Sequence, residues 1–394
     1  MRCVGTVVRG IRTPIIKEND DLATIVVDSI MAAKEAEGFE FKDKDIVAIT
    51  EAVVGISEGN YVTVDDVAKD LEKKFPSKNI GVVNPILSRN RFSIILKGIA
   101  RTMDKITLLT SFPADEVGNG ILDEDILEKS KYHLGSVITE DEYSETFGSW
   151  KHPFTGINMI DFYRELIESE KCEVEFVFSN DIKTILDYNE DVLTCDIHTR
   201  EKSVKLLKSL GANVCGLHQV LNEPVGDSGY NPNFGLLGSN KATEEKLKLF
   251  PISGDKLVRE VQNRLIELTG KQIEVMVYGD GAFKDPVGKI WELADPVVSP
   301  AHTDGLIGYP NEIKLKYVSD NKFADLKGDE LKEAIKEEIR SKDENLTGQM
   351  ITEGTTPRVL TDLIGSLCDL TSGSGDKGTP VIFIQGYFDN LAND

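Results

Sequence analysis

The residues best suited to chemistry lie in one glycine-rich loop near the end of the chain. Residues 371–379 combine four hydroxyl groups, one acid and one base, and an apolar stretch at residues 380–386 follows directly. The loop contains three glycines that let the backbone turn and bring its N–H groups close to a ligand: Gly373, Gly375 and Gly378. Asp376 can ligate a divalent ion, and Lys377 can balance the charge of a phosphate. The loop therefore indicates phosphate and metal binding, with a flexible polar loop as the alternative.

This loop is not a Walker A motif. In that motif the lysine follows the last glycine and the segment opens a helix, whereas here Lys377 precedes Gly378 and a predicted strand follows. Any phosphate binding must therefore use a different backbone geometry.

Two other turns place carboxylates after predicted strands. Asp115 is followed by a glycine turn and Asn119, and the two side chains could ligate a hard cation through oxygen. Asp280 lies between two glycines at the carboxyl end of a predicted strand, a usual position for a ligand-binding acid in α/β proteins. An ordinary acidic turn at Asp115 and a tight turn at Asp280 are the alternatives.

A fourth turn, at residues 10–14, follows the first predicted strand and offers a base and a hydroxyl group from Arg12 and Thr13. The histidines are less informative, because single residues such as His198 and His302 are more often structural than catalytic. The sequence contains no HExxH motif, no nucleophile elbow and no Cys–His pairing by spacing. Serine or cysteine nucleophile chemistry is therefore not indicated.

Composition narrows the class of protein. The 394 residues carry a net charge of −22, which argues against nucleic-acid wrapping and against attraction to an anionic membrane. Five scattered cysteines without a C-x-x-C pair argue for a reducing compartment. No apolar run approaches the roughly 18 residues of a membrane span, and the first residues do not resemble a signal peptide. We expect a cytoplasmic protein of two or three domains.

The predicted elements alternate between strands and helices, which favours an α/β fold, or mixed α+β. Strands are predicted at 3–8, 45–54, 79–83, 105–111, 173–179, 191–197, 213–217, 272–278, 312–318 and 380–386. Helices are predicted at 22–36, 64–75, 91–103, 200–210, 255–268, 324–341 and 357–370. Because residues 126–270 have a β/α alternation of their own, we expect three parts: 1–125, an inserted β/α module at 126–270, and 271–394.

Segments near both ends resemble a known family. Residues 10–23 are similar to its opening turn and first helix, residues 45–59 to its second strand and the run that follows, and residues 361–386 to its final helix, loop and strand. The family is that of the coenzyme F420 γ-glutamyl ligases (coenzyme F420-0:L-glutamate ligase). The resemblance covers about the first 120 and last 125 residues.

The resemblance implies a homodimeric ligase that uses GTP and Mg²⁺ or Mn²⁺ to join L-glutamate to a small-molecule carboxylate acceptor. It implies a two-part fold, here interrupted by the insertion. The implied metal ligands are Asp115, Asp280 and Asp376. The implied nucleotide and phosphate contacts are Gly10, Arg12, Thr13, Thr50, Asn119, Gly373, Gly375, Lys377 and Gly378.

Two departures from the family pattern bear on function. The family has lysines just after the strand that ends near Thr50, and residues 51–57 contain none, so we expect weaker binding of a triphosphate. The insertion is absent from shorter members. A ligase for a different acceptor, or a nucleotide- and metal-binding protein without ligase activity, are therefore the alternatives to a coenzyme F420-0 ligase.

Overall fold

The computed structural model describes residues 3–84, 86–89, 91–115, 118–153, 155–197, 199–279, 299–355, 358–372 and 376–393, and the backbone of 283–284 and 291–292. The strands are β1 (Val7–Ile11), β2 (Ile46–Thr50), β3 (Tyr61–Thr63), β4 (Asn79–Val83), β5 (Lys105–Thr110), β6 (Ile138–Thr139), β7 (Glu173–Phe178), β8 (Asp191–Thr194), β9 (Asn213–Gly216), β10 (Asn240–Thr243), β11 (Lys246–Lys248), β12 (Glu274–Tyr278), β13 (Phe283–Lys284), β14 (Trp291–Glu292), β15 (Ala301–His302) and β16 (Val381–Gln385). The helices are α1 (Leu22–Glu37), α2 (Glu51–Glu58), α3 (Val64–Lys74), α4 (Phe92–Thr102), α5 (Glu124–Lys129), α6 (Glu140–Phe147), α7 (Met159–Ser169), α8 (Arg200–Ser209), α9 (Gly254–Thr269), α10 (Leu315–Tyr317), α11 (Gly328–Ser341) and α12 (Leu360–Ser372).

A first sheet combines strands from both ends of the chain, in the order β1-β16-β2-β12-β15. Strand β16 runs antiparallel to β1 and β2, and β2 runs parallel to β12. The register pairs Ile11 and Ile49 with Val381, and Thr50 with Tyr278. The end of β1, the start of β16 and the ends of β2 and β12 therefore meet at one edge of this sheet.

Helices cover both faces of the first sheet because successive strand residues point to opposite sides. Val47 and Ile49 lie in a core with α1 and α9, whereas Ile46 and Ala48 lie in a core with α12. Helix α1 is bounded as the sequence predicts: the Asp21 side chain caps its first turn, and a left-handed glycine ends it.

A second sheet has six strands in the order β6-β7-β5-β4-β8-β9. All are parallel except β6, which pairs antiparallel with β7. Helices α4 and α7 pack in the core on one face, and α8 packs against the other face through Val204 and Leu207. The five parallel strands, numbered by their order in the chain, follow the order 3-2-1-4-5, which is that of a doubly wound α/β fold.

A small three-stranded sheet lies where the chain enters and leaves the second sheet. Strand β3 precedes the second sheet in the chain, and β10 and β11 follow it. Strand β11 lies in the middle and pairs antiparallel with β3 and with β10. The chain therefore departs from the first sheet near residue 61 and returns near residue 250.

The α/β fold class is confirmed, and most predicted elements are present, but the sheets divide the chain differently from the expected parts. Strands β4 and β5 come from residues before 126 yet lie at the centre of the second sheet. Helix α9, expected in the inserted module, packs on the first sheet through Val258, Val261 and Leu265. Apolar periodicity finds such elements but does not say which sheet they join.

Three predicted boundaries are wrong. Residues 312–318 form no strand and instead contain the short α10, because β15 already occupies the edge beside β12. The strand predicted at 45–54 ends at Thr50, where α2 begins, and the first strand is Val7–Ile11 rather than 3–8. Among the described helices, none is both long and apolar enough to span a membrane.

Candidate functional site

The edge of the first sheet brings together two of the segments that the sequence singles out. The Thr13 N–H donates to the Gly378 carbonyl over 3.4 Å, and the Thr50 N–H donates to the Pro380 carbonyl over 2.9 Å. The turn at 10–14, the end of β2 and the end of the glycine-rich loop are therefore neighbours, although up to about 370 residues separate them in the chain.

Close strand approach explains why glycine occupies position 10. A Cβ atom built on Gly10 would lie 3.0 Å from Cβ of Thr379, which is closer than packed side chains normally come. Gly378 has φ 67°, a left-handed conformation that suits glycine, and this bend leads the loop into β16. Gly10 therefore permits the close approach of β1 to Thr379, and Gly378 permits the left-handed bend that precedes β16.

A cavity of about 1070 Å³ opens between this turn and α1. Its lining includes Gly10, Arg12, Thr13, Asp28, Thr371 and Lys377. Arg12 and Lys377 are exposed, and the Lys377 ammonium lies 3.5 Å from the Thr371 carbonyl oxygen. Arg9 also lines the cavity, and its guanidinium donates to Gln385 over 2.8 Å and stacks on Phe39, which fixes its orientation. The cavity therefore presents cationic and hydroxyl groups of the kind that bind an anion, together with the carboxylates of Asp28 and Glu37 on α1.

Tyr278 is a member of this edge that the sequence analysis does not identify. Its side chain is buried at the end of β12, and its hydroxyl lies near the side chains of Ser372 and Thr50. Burial raises the pKa of this phenol, so it remains a neutral donor at physiological pH. A phenol at a strand end gives no sequence signal distinct from that of a core tyrosine.

A lysine does reach the end of β2, but it comes from far along the chain. The Lys248 ammonium lies 2.6 Å from the Glu51 carboxylate, and both side chains are buried. This contact joins α2 of the first sheet region to β11. Because Glu51 already neutralises Lys248, this lysine does not replace the free lysines that the family has after the strand ending near Thr50.

The structure does not bring Asp115 and Asn119 to this edge. They follow β5 in the second sheet, where Asp115 is buried. Its carboxylate accepts from the Leu87 N–H, the Asn119 N–H and the Asn119 side-chain amide, each over 2.7 Å. The described contacts thus show the carboxylate closing a turn of the second sheet.

Of the other two predicted metal ligands, Asp376 lies among the described residues and Asp280 does not. Asp376 is exposed in the turn before β16. Asp280, Gly373, Gly375 and His198 lie outside the described residues. Within the described part of the chain, no group of three or more His, Cys, Asp or Glu side chains is arranged to hold a metal ion.

Comparison with known proteins is consistent with this geometry. A sequence model of the family described as F420-0:Gamma-glutamyl ligase matches residues 10–386. The match includes the turn at 10–14, the glycine-rich loop and the whole second sheet. No curated protein matches the chain significantly.

Proposed function

Because the chain belongs to the F420-0:gamma-glutamyl ligase family, we propose that it uses GTP and a divalent metal to add L-glutamate to a carboxylate acceptor. The acceptor would be coenzyme F420-0 or a related small molecule. The site would be the edge of the first sheet, and the protein would act as a homodimer, as the family resemblance implies.

The convergence of the two cationic segments carries this proposal. Arg12 and Thr13 from the N-terminal turn line the same cavity as Lys377 from the C-terminal loop. Arginine and lysine bind phosphate oxygens through charge-assisted hydrogen bonds, and the neighbouring hydroxyl groups supply further donors. With a volume of about 1070 Å³ the cavity has the size of a ligand pocket. It therefore supports binding of a triphosphate.

The described residues fit a metal that arrives with the nucleotide. Mg²⁺ is usually held by one or two carboxylates together with phosphate oxygens, so Asp376, exposed in the turn beside Lys377, suffices as one protein ligand. When bound, such an ion neutralises phosphate charge during transfer. Asp115, whose carboxylate already accepts three hydrogen bonds, is not needed for this arrangement.

The reaction would proceed in two balanced steps. An acceptor carboxylate oxygen attacks the γ-phosphorus of GTP, the bond to the β–γ bridging oxygen breaks, and GDP leaves with that electron pair. The glutamate amine then attacks the acyl carbon, inorganic phosphate leaves, and the amine loses a proton to solvent. Arg12 and Lys377 would hold the phosphoryl oxygens in line and stabilise the charge that develops on them.

The test is a coupled assay of the full-length protein with coenzyme F420-0, L-glutamate, GTP and Mg²⁺. Mass spectrometry should show an acceptor heavier by one glutamyl residue, with one GDP formed per amide. GDP formation without glutamate addition would overturn the ligase proposal. Glutamate addition only to another carboxylate would assign a different acceptor within the same reaction class.

Variants then test the site itself. Lys377→Ala and Arg12→Ala should each weaken GTP binding in Mg²⁺ by roughly ten- to a hundred-fold, since a charge-assisted contact contributes about 1.5–3 kcal/mol. Lys316→Ala is the matched control, because Lys316 is exposed and does not line the cavity. Equal affinities for all three variants would place the nucleotide elsewhere.

A further inference from the structure

The cavity beside α1 contains a third cation, Arg9, which the phosphate contacts described above do not use. Arg9 lies on β1 and points to the same face of the sheet as Ile11, which packs in the core with α1. Its side chain lines the cavity together with Arg12 and Lys377. At about 1070 Å³ the cavity exceeds the roughly 300–1,000 Å³ of a usual ligand pocket. It therefore has room for a second substrate beside the phosphates of a nucleotide.

Arg9 is held in a fixed orientation by a buried glutamine. Its Nη1 atom donates to Gln385 Oε1 over 2.8 Å, and its guanidinium carbon lies 4.8 Å from the centre of the Phe39 ring. Gln385 is buried, and its side-chain amide donates to the Glu40 carbonyl over 3.0 Å and to the Asp45 carboxylate over 2.9 Å. Because these two acceptors take both amide protons, the Gln385 oxygen must face Arg9. Gln385 is therefore a positioning residue for the guanidinium.

The fixed guanidinium still has donors to offer to a ligand. Arginine carries five N–H donors in a planar fork, and the contact with Gln385 uses one of them. Among the described residues, no carboxylate forms an ion pair with Arg9, although its side chain is half-buried. A guanidinium that is held beside a cavity without a counter-ion is arranged to receive a planar carboxylate through two parallel hydrogen bonds.

Arg9 and the phosphate contacts lie at different ends of the cavity. Arg12 follows Arg9 by three residues, which is about 10 Å of extended chain. Phe39, on which Arg9 stacks, comes just after the C-terminal end of α1, so Arg9 lies beside that end of the helix. Asp28 also lines the cavity, and it precedes Glu37 by nine residues, or about 13 Å along α1. Asp28 therefore lies toward the end of the cavity that Arg12 lines.

The charges on the cavity wall indicate which ligand suits the end at Arg9. Glu37 lines the cavity there and Asp28 lines it at the other end, and neither carboxylate forms an ion pair within the part of the chain that the structure describes. One cation beside one acid favours a singly charged carboxylate over a doubly charged phosphate. The unpaired Asp28 carboxylate attracts an ammonium group. An amino acid whose side chain ends in a carboxylate carries both of these groups, separated by an aliphatic chain.

We propose that Arg9 binds the γ-carboxylate of the incoming L-glutamate, whose amine lies toward Asp28 and the phosphate contacts. Arg9 has this role within the proposed ligase reaction, on which the assignment rests. In this pose the amine lies at the end of the cavity where the acyl phosphate forms, and the γ-carboxylate is held away from the acyl carbon. Glutamine would place a neutral amide against the guanidinium, so Arg9 is the residue that distinguishes glutamate from glutamine.

Equilibrium binding of labelled L-glutamate and L-glutamine to the full-length protein, with and without GDP and Mg²⁺, tests Arg9 without requiring turnover. The wild type should prefer glutamate at least ten-fold. Arg9→Met should lower glutamate affinity roughly ten- to a hundred-fold and leave GTP affinity unchanged, which also shows that the variant is folded. Arg259→Met is the matched control, because Arg259 lies on α9, is 62% exposed and does not line the cavity. A wild type without the preference, or an Arg9→Met variant that keeps it, would overturn the proposal.

Gln385→Leu tests the positioning role, because it removes the oxygen that faces Arg9 and keeps a similar size. The preference for glutamate over glutamine should fall several-fold while GTP affinity is unchanged. Arg9→Lys should reduce the preference as well, since lysine keeps the charge but not the planar fork. A full preference in both variants would overturn the bidentate contact.

The same variants separate this assignment from the ligase reaction itself. If the wild type adds glutamate in the coupled assay and Arg9→Met keeps the wild-type KM for glutamate, Arg9 does not bind the γ-carboxylate and the ligase proposal stands. If the wild type binds glutamate through Arg9 but forms no amide, the ligase proposal fails and the carboxylate contact stands.

Discussion

The two sheets each present polar side chains at one edge, but they do so in opposite ways. At the edge of the first sheet Arg12 and Lys377 are exposed in an open cavity. At the edge of the second sheet Thr194 and Asp196 are buried, and Thr194 Oγ1 and Asp196 Oδ1 have no hydrogen-bond partner among the described residues. Exposed cations suit a strongly solvated polyanion such as a triphosphate.

The edges also differ in how the chain assembles them. The first requires Gly10 to meet Thr379 and Thr13 to meet Gly378, so it exists only after the two ends of the chain have paired in β1 and β16. The second joins the ends of β4 and β8, which are about 110 residues apart in the chain rather than about 370. The first site should therefore depend more strongly on contacts that join distant segments, and the Glu51–Lys248 pair is the most buried ion pair among the described residues.

The largest expected effect comes from breaking that pair. Lys248→Met removes the cation that lies 2.6 Å from the buried Glu51 carboxylate, and the two side chains are only 5% and 6% exposed. Removing one partner of a buried ion pair costs about 3–5 kcal/mol. Urea unfolding should show this loss in the free energy of unfolding, and the variant with Glu51→Gln as well should recover part of it.

Lys105→Met is the control, because its pair with Glu175 within the second sheet spans 2.9 Å with both side chains about 40% exposed. Exposed pairs contribute no more than about 1 kcal/mol. Similar losses in both variants would mean that the buried pair does not couple the two regions.

A smaller effect should follow from Gly10→Ala. The new Cβ would lie 3.0 Å from Cβ of Thr379, and overpacking of this kind costs about 1–3 kcal/mol. Because the shift falls between β1 and β16, GTP affinity should fall with stability. Gly5→Ala is matched, since a Cβ there meets no atom within 4 Å. Equal GTP affinities for the two alanine variants would remove the turn from the nucleotide site.

Much of the fold can be predicted from the sequence because local signals are strong. Asp21 as a helix cap, the strand at Asn79–Val83 and the turn glycine at 378 all follow from short-range physical chemistry. The sequence also places the N-terminal turn and the glycine-rich loop in one site, through family resemblance. What it does not determine is which sheet a strand joins, so Asp115 is expected beside Asp376 although it follows β5.

The unpredicted features are those set by long-range packing. Lys248 reaches Glu51 across 197 positions, and no spacing rule relates them. Burial of Asp196 and Thr194 depends on α8 crossing to the far face of the second sheet, which periodicity alone leaves open. From the sequence alone, Tyr278 resembles an ordinary core residue. Only the strand order shows that it is the last residue of β12 and lies beside Thr50 at the candidate site.

The two regions should also respond to acid in opposite directions. Burial raises the pKa of Asp45 in the first sheet region, so the folded state holds that proton more tightly than the unfolded state, and protonation favours folding. In the second region, burial lowers the pKa of His218, with Arg200 adding to the effect and the Glu201 and Asp196 carboxylates opposing it. Burial likewise lowers the pKa of His152. The unfolded chain then binds these histidine protons more tightly, and stability falls as pH drops below about 6.5.

The smallest expected effect is therefore the removal of one titrating group from the second region. His218→Gln should lose less stability than the wild type between pH 7.5 and pH 5.5, because the variant no longer has a buried imidazole that must charge on unfolding. Urea unfolding at the two pH values measures the difference, and His218→Gln combined with His152→Gln should reduce the pH dependence further. Exposed His133→Gln reports the background effect of losing a surface histidine. If His218→Gln and the wild type lost the same free energy of unfolding over this interval, the acid sensitivity would have to come from outside the edge of the second sheet.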